Sequence, residues 1–203
     1  MKFLSHREML RFWQRALARA EAPVIFSCGF NPHMRLSLPL PRSVGMSSLA
    51  ELLILELDER RIAQELWTSL RQQLPAGIEL QGVKAIRRDL NCNPKWARYR
   101  VTLNEGVDRA ALGRRLEAFR ARDDWLAQRP TRRRHPRRTV NVRRGIRELQ
   151  QDDQGLLCTI DIQPQGAVRI DELLTALEID PARQVSEIER IAAGYPPQLD
   201  INT

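Results

Sequence analysis

Two stretches of this 203-residue chain hold side chains able to do chemistry. The first is Ser27–Pro41, "SCGFNPHMRLSLPLP", where Phe30, Asn31, Pro32 and His33 directly follow Gly29. Gly29 supplies backbone freedom for a turn, and Asn31-Pro32 is a turn dipeptide whose proline steers Asn31 away from helix. A turn requires neither Phe30 nor His33. An aromatic ring beside an imidazole in a loop is what base stacking or a polar ligand would use. A packing plug at Phe30 and a capping role for His33 are the structural alternatives.

The second stretch is Arg129–Arg147, "RPTRRRHPRRTVNVRRGIR", with nine arginines and no acid. Arg132, Arg133, Arg134, Arg137 and Arg138 fall in a proline-containing loop, 129–138, that has no apolar residue. Arg143, Arg144 and Arg147 follow on an expected strand whose Val140 and Val142 face inward. A basic loop feeding a basic strand is an arm for phosphate contacts, with affinity that falls steeply with salt. The alternative is a solvated loop from an arginine-rich composition, since Lys2, Lys84 and Lys95 are the only lysines. Composition alone would spread arginines evenly, and these are concentrated. Without this stretch the net charge of +8 would be −1, so the basic character is one local feature. It favours an acidic partner, RNA first and an acidic protein surface second.

The remaining candidates are weaker. Ser5 and His6 are adjacent, and with His33 they could form a hydrolase or a metal-independent, two-histidine ribonuclease. However, Ser5 followed by Glu8 is a capping box, and no acid stands at a spacing that would orient an imidazole. Two histidines and scattered carboxylates do not make a metal site. Cys28, Cys92 and Cys158 are odd in number and far apart, which excludes a disulfide scaffold and a CxxC metal site. "LNEGVDRAALGRR" has neither a GxGxxG nor a GK[ST] element, which disfavours nucleotide hydrolysis. No metal and no cofactor is expected. No apolar run approaches the ~20 residues of a membrane span, and the N-terminus lacks a signal-type apolar region, so the expected location is the cytoplasm with no membrane contact.

Stepping along the chain, the expected fold class is α+β, with two tandem ferredoxin-like (split βαβ) halves. A helix over 5–20 carries Leu10, Trp13 and Leu17 on one face and Arg7, Arg11, Arg15 and Arg19 on another. Strands follow at "VIFS", "MRLSLPL" and Leu49–Leu57, then a helix over Arg61–Leu74 and a strand over Ile78–Ile86. The pattern restarts with strand Trp96–Leu103, a helix from Asp108 to about Leu126, strands Arg138–Leu149 and Leu156–Ile162, a helix at Ile170–Ile179 and a final strand from Val185. The expected division is 1–89, 96–194 and a flexible tail, 195–203. The first half lacks an opening strand, Met1-Lys2-Phe3 being its expected stub, and an exposed sheet edge there would invite homodimerisation by strand pairing.

"FLSH" at Phe3–His6, "GFNPH" at Gly29–His33 within its flanking segments, and "VNVRRGIREL" resemble a bacterial radical-SAM-associated domain of unknown function. The resemblance covers most of the chain, specifically over the first 57 residues and loosely after about residue 95. It marks Ser5, His6, Gly29, Phe30, Asn31, Pro32 and His33 as the family's signature. Met34 stands where the family has proline. The resemblance implies a radical SAM protein as partner, a basic strand ahead of Phe3, and a binding role for Phe30 and His33. The chain has no CxxxCxxC run, so it is not itself the radical SAM enzyme. The leading expectation is therefore a non-catalytic RNA- or ribonucleoprotein-binding accessory module in RNA or ribosome modification. The alternatives are a metal-independent RNA-processing or RNA-modifying enzyme, by analogy of fold alone, and an adaptor that binds an acidic protein partner.

Overall fold

Helix α1 (His6–Arg19) begins where its residues require. Ser5 is its N-cap, with the Oγ accepting from Glu8 N–H, while the Glu8 carboxylate accepts from Ser5 N–H at 2.8 Å and Ser5 Oγ–H at 2.6 Å. The computed structural model describes residues 2–58, 63–129, 138–164 and 166–199. The fold is α+β, and the chain divides into two units. One comprises Met1–Met46, Glu51–Pro94 and Tyr195–Thr203; the other comprises Ser47–Ala50 and Lys95–Gly194.

In the first unit α1 buries Met9, Trp13, Ala16 and Leu17, and the core is completed by Ala20, Val24, Leu38 and Leu70. Helix α2 (Ala63–Arg71) supplies Leu70. The strand segments here are shorter than their apolar runs predict. Strand β1 (Leu36–Ser37) pairs antiparallel with β3 (Ile54–Leu55), and single bridges join Val24 to Leu57 and Phe26 to Met34. The expected strand over Ile78–Ile86 does not form. Ile78 and Leu80 pack on the core, but Val83 and Ile86 are exposed, so the second half of that segment has no apolar surface to lie against.

The second unit is built on strand β4 (Trp96–Leu103), which is paired on both sides. It is antiparallel to β8 (Gly155–Gln163) and to β10 (Val185–Gly194). Strand β7 (Ile146–Gln151) pairs with the far side of β8, and β2 (Ser47–Ser48) runs parallel to β10, giving the order β2-β10-β4-β8-β7. The short β9 (Gly166–Ala167) pairs with β8 off this path. Along β4, Ala97, Val101 and Leu103 alternate to its buried side, and Leu112, Leu116 and Phe119 of α3 (Arg109–Arg120) and Leu173 and Leu174 of α5 (Ile170–Ala176) are buried as well. The other sheet face is charged. Arg98 bonds Glu148 at 2.5 Å and Thr159 Oγ1 at 2.9 Å, and Thr159 Oγ1 donates to Glu148 at 3.1 Å, so the three side chains are mutually bonded. Fully buried Arg190 donates from Nε to Ser48 Oγ at 3.2 Å, tying β2 to the sheet.

Two departures from the expected elements sit between α3 and β8. Residues Leu126–Arg129 form a strand, β5, that pairs antiparallel with β6 (Arg138–Asn141). The single strand expected over Arg138–Leu149 is broken by a helical turn, α4 (Val142–Gly145), where Asn141 Oδ1 accepts from Arg144 N–H at 3.3 Å. A second short turn, α6 (Pro181–Gln184), is capped by Asp180, and a 3-10 turn at Pro197–Leu199 follows β10. No helix among the described residues is long and apolar enough to cross a membrane.

The turn into β8 is a sensitive point. Asp152 Oδ1 accepts from Gln154 and Gly155 N–H at 2.9 Å, and Arg100 bonds the same carboxylate at 2.7 Å, which holds Asp152 below the usual aspartate range. Gly155 has φ +154°, and a Cβ there would lie 2.1 Å from the Val101 carbonyl oxygen. Backbone cannot give way as a side-chain tip can. Gly155→Ala is expected to destabilise the second unit by about 3 kcal/mol, read by urea denaturation of the whole chain. An unchanged midpoint would show that β8 slides past β4 at no cost.

Candidate functional site

The Gly29–His33 loop is a closed structure rather than a loose connection. The bridge between Phe26 and Met34 forms its neck. Above the neck Ser27 N–H donates to the His33 carbonyl at 2.8 Å, and Ser27 Oγ accepts from His33 N–H at 3.0 Å. Gly29 takes φ +128°, a conformation that L side chains rarely adopt, and so turns the chain. The base is anchored from below: Val24 is buried, Met34 packs on the core, and Arg35 bonds Glu56 at 3.0 Å, which Arg88 also reaches at 3.1 Å.

What the loop presents is a ring in water. Phe30 is 100% exposed, and Asn31, Pro32 and His33 are exposed beside it. Phe30 therefore plugs nothing, which removes the packing alternative. Phe26 at the neck is half exposed. The arrangement offers an aromatic face, an amide with donor and acceptor, and an imidazole, all carried on a backbone pinned at two points. Ser27 was not singled out by the sequence; its position six residues before His33 has no local pattern to mark it.

Ser5 and His6 are placed elsewhere in the same unit. The Ser5 hydroxyl is engaged with Glu8, whose carboxyl is held below the usual range chiefly by that hydroxyl and by Ser5 N–H. His6 lines a cleft of about 10 Å³ with Leu4, Met9, Leu38, Pro41, Arg42 and Glu51, room for a single water at most. His33 is not part of that cleft. Among the described residues no three His, Cys, Asp or Glu side chains are grouped as metal ligands. Cys28 is exposed, whereas burial pushes the Cys158 thiol up to about 12.

The arginine stretch belongs to the second unit. Arg132, Arg133, Arg134 and Arg137 lie outside the described residues. Arg138 is exposed at the start of β6, in register with Arg129. The structure gives the next three tasks within their own unit. Arg143 sits over the Phe119 ring at 6.0 Å and reaches the Arg120 carbonyl at 3.5 Å. Arg144 bonds Asp124 at 2.9 Å, yet its side chain remains 71% exposed. Arg147 bonds Asp161 at 2.6 Å and lies 5.9 Å from the Trp96 ring.

The β5–β6 hairpin is held by a pair the sequence does not announce. Arg129 and Glu172 form a bidentate ion pair at 2.5 and 2.7 Å, with side chains only 14% and 10% exposed. Arg129 also donates to the Ala167 carbonyl at 2.6 Å, and Glu172 accepts from Arg169 N–H at 2.8 Å at the start of α5. Burial alone would raise the Glu172 pKa, but the hydrogen bonds from Arg129 and from Arg169 N–H outweigh it and hold the carboxyl below 4.5. A depressed carboxylate pKa contributes stability that is present above the ordinary glutamate range and is lost as pH falls through the lower folded value. Glu172→Ala strands a buried guanidinium and is expected to cost about 3 kcal/mol at neutral pH, with the deficit shrinking below pH 4.5. Denaturant melts of both proteins across that range check it; a pH-independent deficit would assign the loss to packing alone.

Residues 1–174 match the family described as "Uncharacterized protein conserved in bacteria (DUF2344)", and the chain belongs to that family. No curated protein matches it.

Proposed function

For this member of an uncharacterized bacterial family, we propose a non-catalytic RNA- or ribonucleoprotein-binding module that serves a radical SAM partner in RNA or ribosome modification. One observation carries the binding half of this reading: the fully exposed ring of Phe30 on a loop closed by Ser27 and His33. An isolated surface aromatic needs no explanation by itself. This one stands at the turn of a loop whose neck is bridged, whose base is anchored in a core, and whose neighbours are Asn31 and His33. A pre-set aromatic flanked by polar groups is how unpaired bases are captured, the ring stacking and the amide and imidazole meeting base edges. Arg132, Arg133, Arg134, Arg137 and Arg138, with exposed Arg144, add phosphate affinity, and the Arg129–Glu172 pair holds β5 of the flanking hairpin. The radical SAM partner rests on the sequence resemblance and on the absence from this chain of a cluster-binding cysteine run.

The enzymatic reading draws no support from the histidines, since exposed His6 lines only a cleft of about 10 Å³ and His33 lies on the exposed loop, outside that cleft. Phe30→Ala is expected to weaken binding of a labelled single-stranded RNA by about tenfold, the worth of one stacked base, with the circular dichroism melt unchanged. Equal binding by wild type and variant sinks the loop's role. Incubation with small RNA without metal, repeated with His33→Ala, separates the alternatives: turnover lost in the variant establishes an enzyme, and binding without turnover the module.

A further inference from the structure

The first unit carries a second basic surface, distinct from the Arg129–Arg147 stretch. Arg7, Arg11, Arg15 and Arg19 recur every fourth residue along α1, and all four are exposed. At about 100° per residue they fall within an arc of about 120°, rising about 6 Å per step and about 18 Å from first to last. That arc is on the side of the helix away from Met9, Trp13, Ala16 and Leu17, so it faces outward along the whole length of α1. Arg19 is engaged, donating to the Gln73 side chain at 3.3 Å and to its carbonyl at 3.0 Å. Among the described residues no ion pair joins Arg7, Arg11 or Arg15 to an acid, although all eleven ion pairs found there are made by arginines. The nearest carboxylate along the helix is Glu8, which feels the charge of Arg11 but is bonded to Ser5.

Like charges at i,i+4 destabilise a helix, so this row works against the fold of its own element. A polyanion laid along α1 would relieve the repulsion. We propose that the outward face of α1 is a track for the phosphodiester backbone of single-stranded RNA, an inference that rests on the RNA reading of the Phe30 loop. The chemistry selects this occupant. The row is one residue wide and winds gradually around a convex helix, with its residues stepping about 6 Å along the axis, close to the spacing of successive phosphates along an extended strand. Guanidinium pairs with phosphate oxygens in bidentate fashion and is weakly hydrated, which suits it to this contact. The deep, narrow major groove of an RNA duplex does not admit side chains to read it, and a fully exposed ring in the same unit serves an unpaired base, not a paired one. A basic track with an aromatic stacking platform is the general form of single-strand recognition.

The test measures the salt dependence of binding of the full chain to labelled oligouridylate. Each phosphate contact on a single strand contributes about 0.7 to the slope of log affinity against log salt. The triple variant Arg7→Gln, Arg11→Gln, Arg15→Gln is expected to lower that slope by about 2, and to do the same on oligothymidylate, because phosphate contacts do not read the 2′-hydroxyl. The triple Arg→Lys variant keeps the charge and is expected to keep the slope. Phe30→Ala is expected to weaken binding with the slope unchanged. A glutamine variant with the wild-type slope overturns the track while leaving the RNA reading intact, provided that Phe30→Ala still weakens binding. Polyglutamate competing as well as oligouridylate makes the surface a protein-docking face and overturns the proposal. So does an RNA duplex binding as well as the single strand. Wild type failing to bind oligouridylate at low salt overturns both readings together.

Discussion

Everything in the first unit turns on the apolar stripe of α1. Met9, Trp13, Ala16 and Leu17 can be buried together only if the helix lies with that side inward. Val24, Met34, Leu36 and Leu55 then pack against it, so the feet of the Phe30 loop are set by the same contact. With so few regular strand pairs, this unit has little backbone ladder to hold it, and the side-chain core must supply the order that β-pairing supplies elsewhere. The stripe also decides where the arginines go. A 3.6-residue repeat that buries one face exposes the other, so the row Arg7–Arg15 faces solvent as a consequence of burying Trp13.

The second unit solves the same problem differently. Strand β4 has a strand neighbour on each side from Trp96 to Thr102, so its alternation is enforced by the ladder. One face takes Ala97, Val101 and Leu103 into the core, and the other carries Arg98 and Arg100, each matched to an acid. Where the ladder stops, polar contacts take over. The β5–β6 hairpin pairs with none of the strands of the main sheet, and it is fixed instead by Arg129–Glu172 and by Asn141, whose Oδ1 accepts from Trp125 N–H at 3.3 Å. A buried ion pair carries a large desolvation cost, but it is directional, and so fixes the orientation of a hairpin that has no neighbour in the main sheet.

The sequence was most legible where the determinants are local. The Ser5–Glu8 box sets the start of α1, Asp108 caps α3, alternation marks β4 and β10, and the run Leu156–Ile162 after its polar turn marks β8. It was least legible where a distant partner decides. Ile78–Ile86 alternates as a strand should, but nothing offers it a ladder. Leu126–Arg129 lacks a strand pattern and forms one because Arg138–Asn141 comes back to meet it. Ser47 and Ser48 join the second unit's sheet through Glu189 and Arg190, a pairing across more than 140 residues that no window of sequence contains. For the candidate site, Gly29, Asn31 and Pro32 announced a turn, but whether Phe30 pointed in or out was undetermined until the core on which the loop stands was in place.

Charge shows the same limit in a sharper form. Density along the sequence singles out Arg129–Arg147, yet in three dimensions Arg129, Arg144 and Arg147 each meet a carboxylate and Arg143 meets an aromatic ring. Arg7, Arg11 and Arg15 do not stand out by density, being diluted among other residues, and among the described residues no ion pair joins them to an acid. The free energy available to a polyanion depends on cations not already neutralised by the fold, because a guanidinium bonded to an internal carboxylate must surrender that bond before it can hold a phosphate. Pairing, not density, is therefore the property that ranks basic surfaces, and it is visible only once the chain is folded. By that measure the helix that anchors the core of the first unit also presents an available cationic surface.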